Sequence, residues 1–321
     1  MNARAAILSV CLALAWLSPA GPLHAQGFAG LGQGGEGFAL PAPEPTFDFP
    51  ADHGAHPDYR IEWWYLTAVL RGEDGRDYGV QWTLFRSALA PGGPQVWMGH
   101  LGLTTSDAHF TGERLARGGI GQAGVTAEPF AAWIDDWVLE GDWETGLEMR
   151  ATGSDFAYDL TLAPLGPLVF HGADGYSVKS ASGQASYYYS QPFLDVAGTV
   201  NVDGQPVTVT GQAWIDREWS SQPLADNQSG WDWFSLSFDT GDKLMGFVLR
   251  QTDGSNFTAG TWITPDGAAT PWPDGAFQAT QALLSGARSQ TAPLLPFALE
   301  SLCYIAPTSE RMFAHARYAD G

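Results

Sequence analysis

Two acidic residues in one short segment have the clearest capacity for chemistry. If residues 211–219 form a β-strand, Asp216 and Glu218 point to one side while Arg217 and Trp219 point to the other. A carboxylic acid that burial keeps neutral can donate a proton to a carbon–carbon double bond. Nearby aromatic faces could stabilise the resulting carbocation by about 2 kcal/mol each when desolvated. Four tryptophans could supply these faces: Trp214, Trp219, Trp231 and Trp233.

A third carboxylate, Glu62, precedes the pair Trp63-Trp64 and leaves two interpretations open. It could be a catalytic group, or it could form a buried ion pair with an arginine. A buried carboxylate is costly without a cation or hydrogen bonds, so we expect Glu62 and Arg86 to be structurally coupled. Glu62 also remains a candidate catalytic residue beside Asp216 and Glu218.

Histidine and aromatic side chains are the candidates for ligand contacts. His53 and His56 resemble metal ligands, but Gly54 and Pro57 predict a turn in which nothing makes their donors converge. Zinc needs three or four converging ligands, so we expect hydrogen bonding at a ligand mouth, with neither a metal nor a cofactor. The predicted ligand-contacting residues are His53, His56, Trp64, Arg86, His100, Tyr188, Trp214, Trp219, Trp231 and Trp233.

Alternating apolar and polar residues predict β-strands along most of the chain. Tyr78, Val80, Trp82 and Leu84 would share one face of a strand over 77–86, which forms a hairpin with 62–70. Further strands are predicted over 96–104, 133–140, 156–162, 169–171, 186–190, 194–201, 206–219, 231–238, 243–250 and 258–263. About a dozen short strands, with 39 Gly and 21 Pro, indicate an all-β protein built from sandwiches or barrels.

Residues 1–25 have the features of a secretion signal. Arg4 precedes an apolar run over 5–17, and Pro19 and Ala25 follow at positions typical of the end of a signal. As a helix the run spans roughly 20 Å, which is short of the roughly 30 Å hydrocarbon core of a bilayer. We expect cleavage near Ala25, no stable membrane insertion afterwards, and a periplasmic or secreted protein. The Gly/Pro-rich residues 26–46 predict a flexible linker, with order beginning near Phe47.

Charge and composition exclude two classes of protein. Lys+Arg number 15 against 35 Asp+Glu, giving a formal net charge of −20, whereas nucleic-acid binding requires clustered cations. We therefore expect no nucleic-acid partner. A hydrophobic fraction of 45%, with 14 Trp, 17 Phe and 10 Tyr, is far above that of a disordered chain.

Several motifs together resemble the AttH/CrtC family, which includes hydroxyneurosporene synthase, a carotenoid 1,2-hydratase. They are residues 52–65, 79–86, 175–176, 186–190, 211–219, 230–234 and 244–250, in family order. The resemblance implies two consecutive lipocalin-like antiparallel β-barrel domains that enclose an apolar cavity, over 47–222 and 223–281. The tail 282–321 shows no convincing strand pair and lacks the family's Gly-Tyr-rich closing strand. We interpret the second barrel as partial and the tail as atypical, whether genuine or from a truncated or shifted reading frame.

Two departures from the hydratase pattern argue against carotenoid hydration. The hydratases of the family that this chain resembles have His at the position of Arg217. They also have a Tyr-x-Asp motif near positions 246–249, where this chain has no aspartate. Arginine cannot donate a proton at neutral pH. Three hypotheses therefore stay open. The favoured one is an exported protein that binds a small hydrophobic, isoprenoid- or lipid-like molecule. The others are an enzyme that hydrates, isomerises or cyclises a polyene, and an accessory protein of a cell-envelope transporter.

Overall fold

The computed structural model describes residues 35–222, 224–225 and 227–279, and the backbone of three short strands beyond them. A 3₁₀ helix over Ala51–His53 precedes the first strand. The strands are β1 (Ile61–Gly72), β2 (Asp77–Ala88), β3 (Gln95–Thr104), β4 (His109–Arg117), β5 (Ala123–Ala127), β6 (Phe130–Ile134), β7 (Trp137–Asp142), β8 (Gly146–Thr152), β9 (Phe156–Pro164), β10 (Val169–Phe170), β11 (Tyr176–Val178), β12 (Ala185–Val202), β13 (Gln205–Ser220), β14 (Gln228–Ser237), β15 (Lys243–Gln251), β16 (Asn256–Ile263), β17 (Ala269–Trp272), β18 (Phe297–Leu299), β19 (Leu302–Ile305) and β20 (Ala316–Tyr318).

The first 13 strands form one antiparallel sheet that curls into a nearly closed barrel. Its order is β4-β3-β2-β1-β13-β12-β9-β8-β7-β6-β5, and β10 and β11 pair with β12. The two ends of the sheet approach each other where Gly99 of β3 faces β6 and β7. A Cβ at Gly99 would lie 2.7 Å from a methyl of Ile134 and 3.2 Å from the ring of Trp137. Only glycine permits this close approach, which brings the barrel to near closure.

Large apolar side chains fill the inside of this barrel. Trp64, Leu66, Trp82, Leu101 and Trp137 are all completely buried within one core cluster. Such interiors pack at the density of organic crystals. Packed side chains thus occupy the space where the resemblance implied an apolar cavity. The cavities described below lie between this barrel and the second sheet.

The second sheet has the order β17-β16-β15-β14-β19. Its edge strand β19 comes from the tail and pairs antiparallel with β14, with Phe234 opposite Leu302 and Trp231 opposite Ile305. The expectation that the tail contains no strand pair is therefore wrong. β18 and β20, also from the tail, form a separate pair. The other residues of the tail lie outside the described residues, as do the predicted signal and the linker up to residue 34.

Side-chain alternation on the main strands follows the sequence pattern closely. Tyr78, Val80, Trp82 and Leu84 all lie in the barrel core, as predicted. The predicted hairpin of β12 and β13 is confirmed, with positive φ at both Asp203 and Gly204 in the turn. The segment 133–140 is not one strand, because the chain turns at Asp135–Asp136 between β6 and β7. Asp135 has a φ of 52°, a conformation that aspartate tolerates better than most residues.

The described part of the predicted linker is held against the barrel rather than free. The backbone N–H of Ala39 donates to the carbonyl of Asp58 at 3.0 Å, and Ser221 donates to the carbonyl of Ala39 at 2.6 Å. The N–H of Ala42 donates to the hydroxyl of Tyr187 at 2.9 Å. Regular contacts thus begin before Phe47. Among the residues that the structure describes, no helix has the length and apolarity needed to cross a bilayer.

Candidate functional site

A cleft between the barrel and the second sheet contains two neighbouring cavities of about 490 and 80 Å³. Both are lined by the same faces of β1, β13 and β14, at successive positions along these strands. The larger begins at Trp214, and the smaller contains Asp216 and Glu218. Three rings meet between them: the centroid of Trp233 lies 5.5 Å from that of Tyr65 and 6.4 Å from that of Trp214. This aromatic partition separates the two parts of the cleft.

Asp216 is the central polar group of the smaller cavity. One of its oxygens, Oδ1, accepts three hydrogen bonds: from Ser190 at 2.5 Å, Trp214 at 2.8 Å and Tyr188 at 2.9 Å. The indole of Trp233 donates to the Tyr188 hydroxyl at 2.9 Å, which leaves the Tyr188 hydrogen for Asp216. Within the described residues, the second oxygen, Oδ2, is buried and has no hydrogen-bond partner. The two oxygens of one carboxyl group are therefore in very different surroundings.

Burial raises the pKa of Asp216 to about 7. The hydrogen bonds from Ser190, Trp214 and Tyr188 oppose this shift because they favour the ionised form, whereas the negative charge of Glu218 adds to it. Near neutral pH a large fraction of Asp216 thus carries a proton. Since Oδ1 already accepts three hydrogen bonds, Oδ2 is the natural place for that proton.

Glu218 lies two residues further along the same face but has different partners. Lys179 forms an ion pair with it at 2.8 Å, and Ser186 donates to the same oxygen at 2.5 Å. The Lys179 ammonium also lies 4.3 Å from the ring centroid of Phe247 and 4.9 Å from that of Tyr188. Because Glu218 is paired with Lys179, Asp216 is the better proton donor of the two.

Aromatic residues supply most of the remaining wall of the smaller cavity. They come from both sheets and are Trp63, Tyr65, Phe85, Tyr188, Trp231, Trp233 and Phe247. A wall of this kind excludes water and presents electron-rich faces, so it suits an apolar ligand and can stabilise a positive charge that develops on it. The cleft therefore combines a neutral acid, one ion pair and an aromatic surround.

Glu62 lies elsewhere, inside the mouth of the barrel. It forms ion pairs with Arg86 and, at 2.7 Å, with Arg217, and it accepts a hydrogen bond from the backbone N–H of His56 at 2.9 Å. Burial alone would raise its pKa, but Arg217, a hydrogen bond with the His56 side chain at 3.1 Å and Arg86 together hold the pKa well below its usual range. The predicted coupling of Glu62 to Arg86 is present in this geometry, and a second arginine completes it.

Four further predicted ligand-contacting residues belong to this mouth cluster rather than to the cleft. The ring of His56 stacks on Trp219 at 3.9 Å, and His53 stacks on Trp143 at 4.3 Å. Trp64 donates to the carbonyl of His53 at 2.9 Å. Burial lowers the pKa of His53 to about 3, with a smaller contribution from the charge of Arg217. These groups contact one another and form a packed, hydrogen-bonded structure.

The structure thus divides the predicted site residues into two sets. The cleft brings together Asp216, Glu218, Tyr188, Trp214, Trp231 and Trp233, whereas the barrel mouth holds Glu62, His53, His56, Trp64, Arg86 and Trp219. His100 belongs to neither set, and its Nε2 lies 3.3 Å from the carboxylate of Glu113. Sequence reasoning missed Lys179, Ser190 and His171. Ser190 could have been found, because it is two residues from Tyr188 and so shares its strand face.

Comparisons with known proteins agree with this architecture. A family model described as AttH-like matches residues 40–294. Among solved structures, an AttH protein from Nitrosomonas europaea is 34% identical with a TM-score of 0.67, over 74% of this chain and 75% of that chain. Kievitone hydratase from Nectria haematococca is 12% identical with a TM-score of 0.54, over 74% and 71%, and so shares the fold. The comparison with curated proteins found no significant match.

Proposed function

The chain belongs to the AttH-like family, and from this premise we propose that it binds a small hydrophobic, unsaturated molecule between its two sheets and protonates it with Asp216. The observation that carries the proposal is the carboxyl group of Asp216, whose Oδ1 accepts three hydrogen bonds while its buried Oδ2 accepts none from the described residues. A neutral carboxylic acid inside an aromatic wall is suited to general acid catalysis, which typically contributes about 10²–10⁴-fold.

The proposed step is protonation of a carbon–carbon double bond. The O–H bond at Oδ2 breaks, a C–H bond forms from the π electrons, and the neighbouring carbon becomes a cation. The three donors on Oδ1 stabilise the carboxylate that remains. Capture of the cation by water, which passes a proton to the Asp216 carboxylate, gives an alcohol and regenerates the acid. Return of a proton from an adjacent carbon to the carboxylate gives an isomer of the starting alkene.

We propose that the ligand occupies both cavities, which requires the Tyr65, Trp214 and Trp233 rings between them to move aside. A cavity of about 80 Å³ holds only one end group, because drug-sized ligands occupy pockets of about 300–1,000 Å³. The larger cavity of about 490 Å³ can take the rest. Several polar side chains line it, including Thr67, Gln212 and Ser237. We therefore propose an unsaturated apolar end at Asp216 and a more polar part in the larger cavity.

Deuterium incorporation tests the proposal whichever product is formed. The protein is incubated in D₂O with acyclic carotenoids and squalene-like polyenes, and mass spectrometry measures deuterium at carbon. We expect wild type to label at least one compound, more slowly as the pH rises above about 7, where Asp216 loses its proton. Asp216→Asn should retain the ligand and lose the labelling. Asp232→Asn is the matched control, because Asp232 is also buried but pairs with Arg250.

Two results would contradict the proposal: labelling by Asp216→Asn at the wild-type rate, or no labelling of any compound that the wild type retains. The second result favours simple binding, which the sequence also predicted and which the aromatic wall supports equally. Native mass spectrometry of the protein purified without detergent distinguishes a binder from an empty protein.

For a transporter accessory role, the described residues offer no specific observation. A periplasmic or secreted location stays part of the proposal.

A further inference from the structure

His171 is a buried histidine between the two sheets, joined to the proposed acid through Ser190. It follows β10 and is completely buried. Its Nδ1 lies 3.0 Å from the Thr261 hydroxyl, and its Nε2 lies 2.7 Å from the Ser190 hydroxyl. Ser190 in turn donates to Oδ1 of Asp216 at 2.5 Å. A continuous chain of hydrogen bonds therefore runs from Thr261, on β16 of the second sheet, to Asp216 on β13 of the barrel.

The donors and acceptors of this chain can be assigned in order. Ser190 has one hydroxyl hydrogen and gives it to Asp216, so its oxygen must accept from the Nε2–H of His171. A neutral imidazole with its hydrogen on Nε2 has an acceptor at Nδ1, which the Thr261 hydroxyl then fills. Burial lowers the pKa of His171 to about 3, helped by the charge of Lys179, which agrees with a neutral ring. Every group in the chain is satisfied in this one direction.

This order differs from that of a Ser-His-Asp triad. In a triad the histidine lies between the serine and the aspartate and removes the serine proton. Here the serine lies between His171 and Asp216, and its hydrogen points to the carboxyl group. Ser190 is therefore not an activated nucleophile. The chain of hydrogen bonds instead ends at the carboxyl group of Asp216 and orients the Ser190 hydrogen toward it.

We infer that His171 is a positioning residue for Asp216. By donating to Ser190 it keeps the Ser190 hydrogen directed at Oδ1, and so it leaves Oδ2 as the oxygen that carries the transferable proton. The inference rests on the proposed function of Asp216, but the chain can be tested without any substrate. Because Thr261 belongs to the second sheet, the arrangement is complete only when the two sheets are packed together.

The other titratable groups around this chain are few and have defined effects. Glu218, on the same strand, raises the pKa of Asp216 through its negative charge, and Lys179 lowers that of His171. From β12, Tyr188 stays neutral because burial raises its pKa well above the usual value. These groups are unchanged by a substitution at Thr261. A change in Asp216 titration after such a substitution therefore reports on the chain.

Nuclear magnetic resonance provides two measurements that need no turnover. Nitrogen-15 shifts of His171 give its tautomer, and we expect neutral Nε2–H from pH 5 to 8. The Trp214 indole N–H, which donates to Asp216, gives the titration midpoint of that carboxyl group. In Thr261→Val, Nδ1 loses its donor, so the preference for the Nε2–H tautomer falls and Ser190 gives its hydrogen to Asp216 for a smaller fraction of the time. Asp216 should then become a weaker acid by up to about 3–10-fold, the range of one neutral hydrogen bond.

Thr261→Ser is the matched control, because it keeps the hydroxyl and should keep the wild-type midpoint. An Nδ1–H tautomer in wild type, or an unchanged midpoint in Thr261→Val, would overturn the inference. If Thr261→Val does not fold, the wild-type tautomer still decides. If the Asp216 midpoint shifts in Thr261→Val but wild type labels no polyene, the hydrogen-bond chain is supported and acid catalysis is refuted. If wild type labels a polyene but the midpoint is unchanged in Thr261→Val, acid catalysis is supported and the role of His171 is refuted.

Discussion

Replacing Glu62 by glutamine should destabilise the protein strongly, although Glu62 faces the barrel and not the cleft. Its carboxylate lies between Arg86 and Arg217, and at most 1% of each of the three side chains is exposed. The amide has the same shape but no charge, and its NH₂ group would face a guanidinium. Two cations would remain buried without their shared anion. Breaking a buried ion pair in this way costs about 3–5 kcal/mol.

Calorimetry or thermal circular dichroism measures this loss as a change in melting temperature. With about 2–4 °C per kcal/mol for domains of this size, Glu62→Gln should melt about 6–20 °C lower than wild type. Asp77→Asn is the matched control, since Asp77 pairs with Arg71 at 2.7 Å but both side chains are exposed. Exposed pairs contribute about 0–1 kcal/mol, so this variant should melt close to wild type.

The pH dependence gives the same prediction a second test. The pKa of Glu62 is lowered in the folded protein, so its contribution is fully present above the unfolded value of 4.5 and is lost as the pH falls toward the folded value. The difference between wild type and Glu62→Gln should therefore be largest near pH 7 and shrink below pH 4.5. The reasoning is refuted if Glu62→Gln melts like Asp77→Asn, or if the difference between Glu62→Gln and wild type does not change with pH.

Two further predictions concern residues outside the proposed acid site. Trp219→Ala should cost about 3–5 kcal/mol of folding free energy and leave ligand retention unchanged, because its ring packs on His56 inside the barrel. Chemical denaturation measures the loss of stability, and native mass spectrometry measures ligand retention. Weakened retention would contradict this prediction and indicate that Trp219 contacts the ligand. The mature protein should begin near Gln26 and be recovered outside the cytoplasm, and N-terminal sequencing that finds Met1 intact in membranes would disprove this.

The alternation of side chains along strands made a large part of the fold predictable. It also predicted which site residues of β13 share a face. Period-two reasoning placed Asp216 and Glu218 on one face and Arg217 and Trp219 on the other, and the structure has this arrangement. It could not say which face meets the second sheet, because that depends on contacts between residues far apart in the chain. Trp219 was therefore assigned to the ligand, although it faces the barrel core.

Two important residues lie next to strands that are too short for alternation to assign a face. Lys179 follows β11 directly, and His171, the last residue of the predicted strand 169–171, follows β10 directly. Their roles follow from distances to Glu218 and Ser190, which belong to other strands. The bare oxygen of Asp216 is likewise a property of packing. Residue types identify an acid, but only the folded arrangement shows which oxygen is left without a partner.

The two faces of β13 give this protein a way to change its chemistry through evolution without refolding. Residues 213, 215, 217 and 219 belong to the barrel, whereas 214, 216 and 218 belong to the cleft. Substitutions at the second set alter the cleft and leave the apolar core of the barrel in place. Changes of reactivity in the cleft are therefore compatible with the same barrel scaffold. Members of one lineage can in this way share a scaffold while their cleft residues diverge toward binding or toward catalysis.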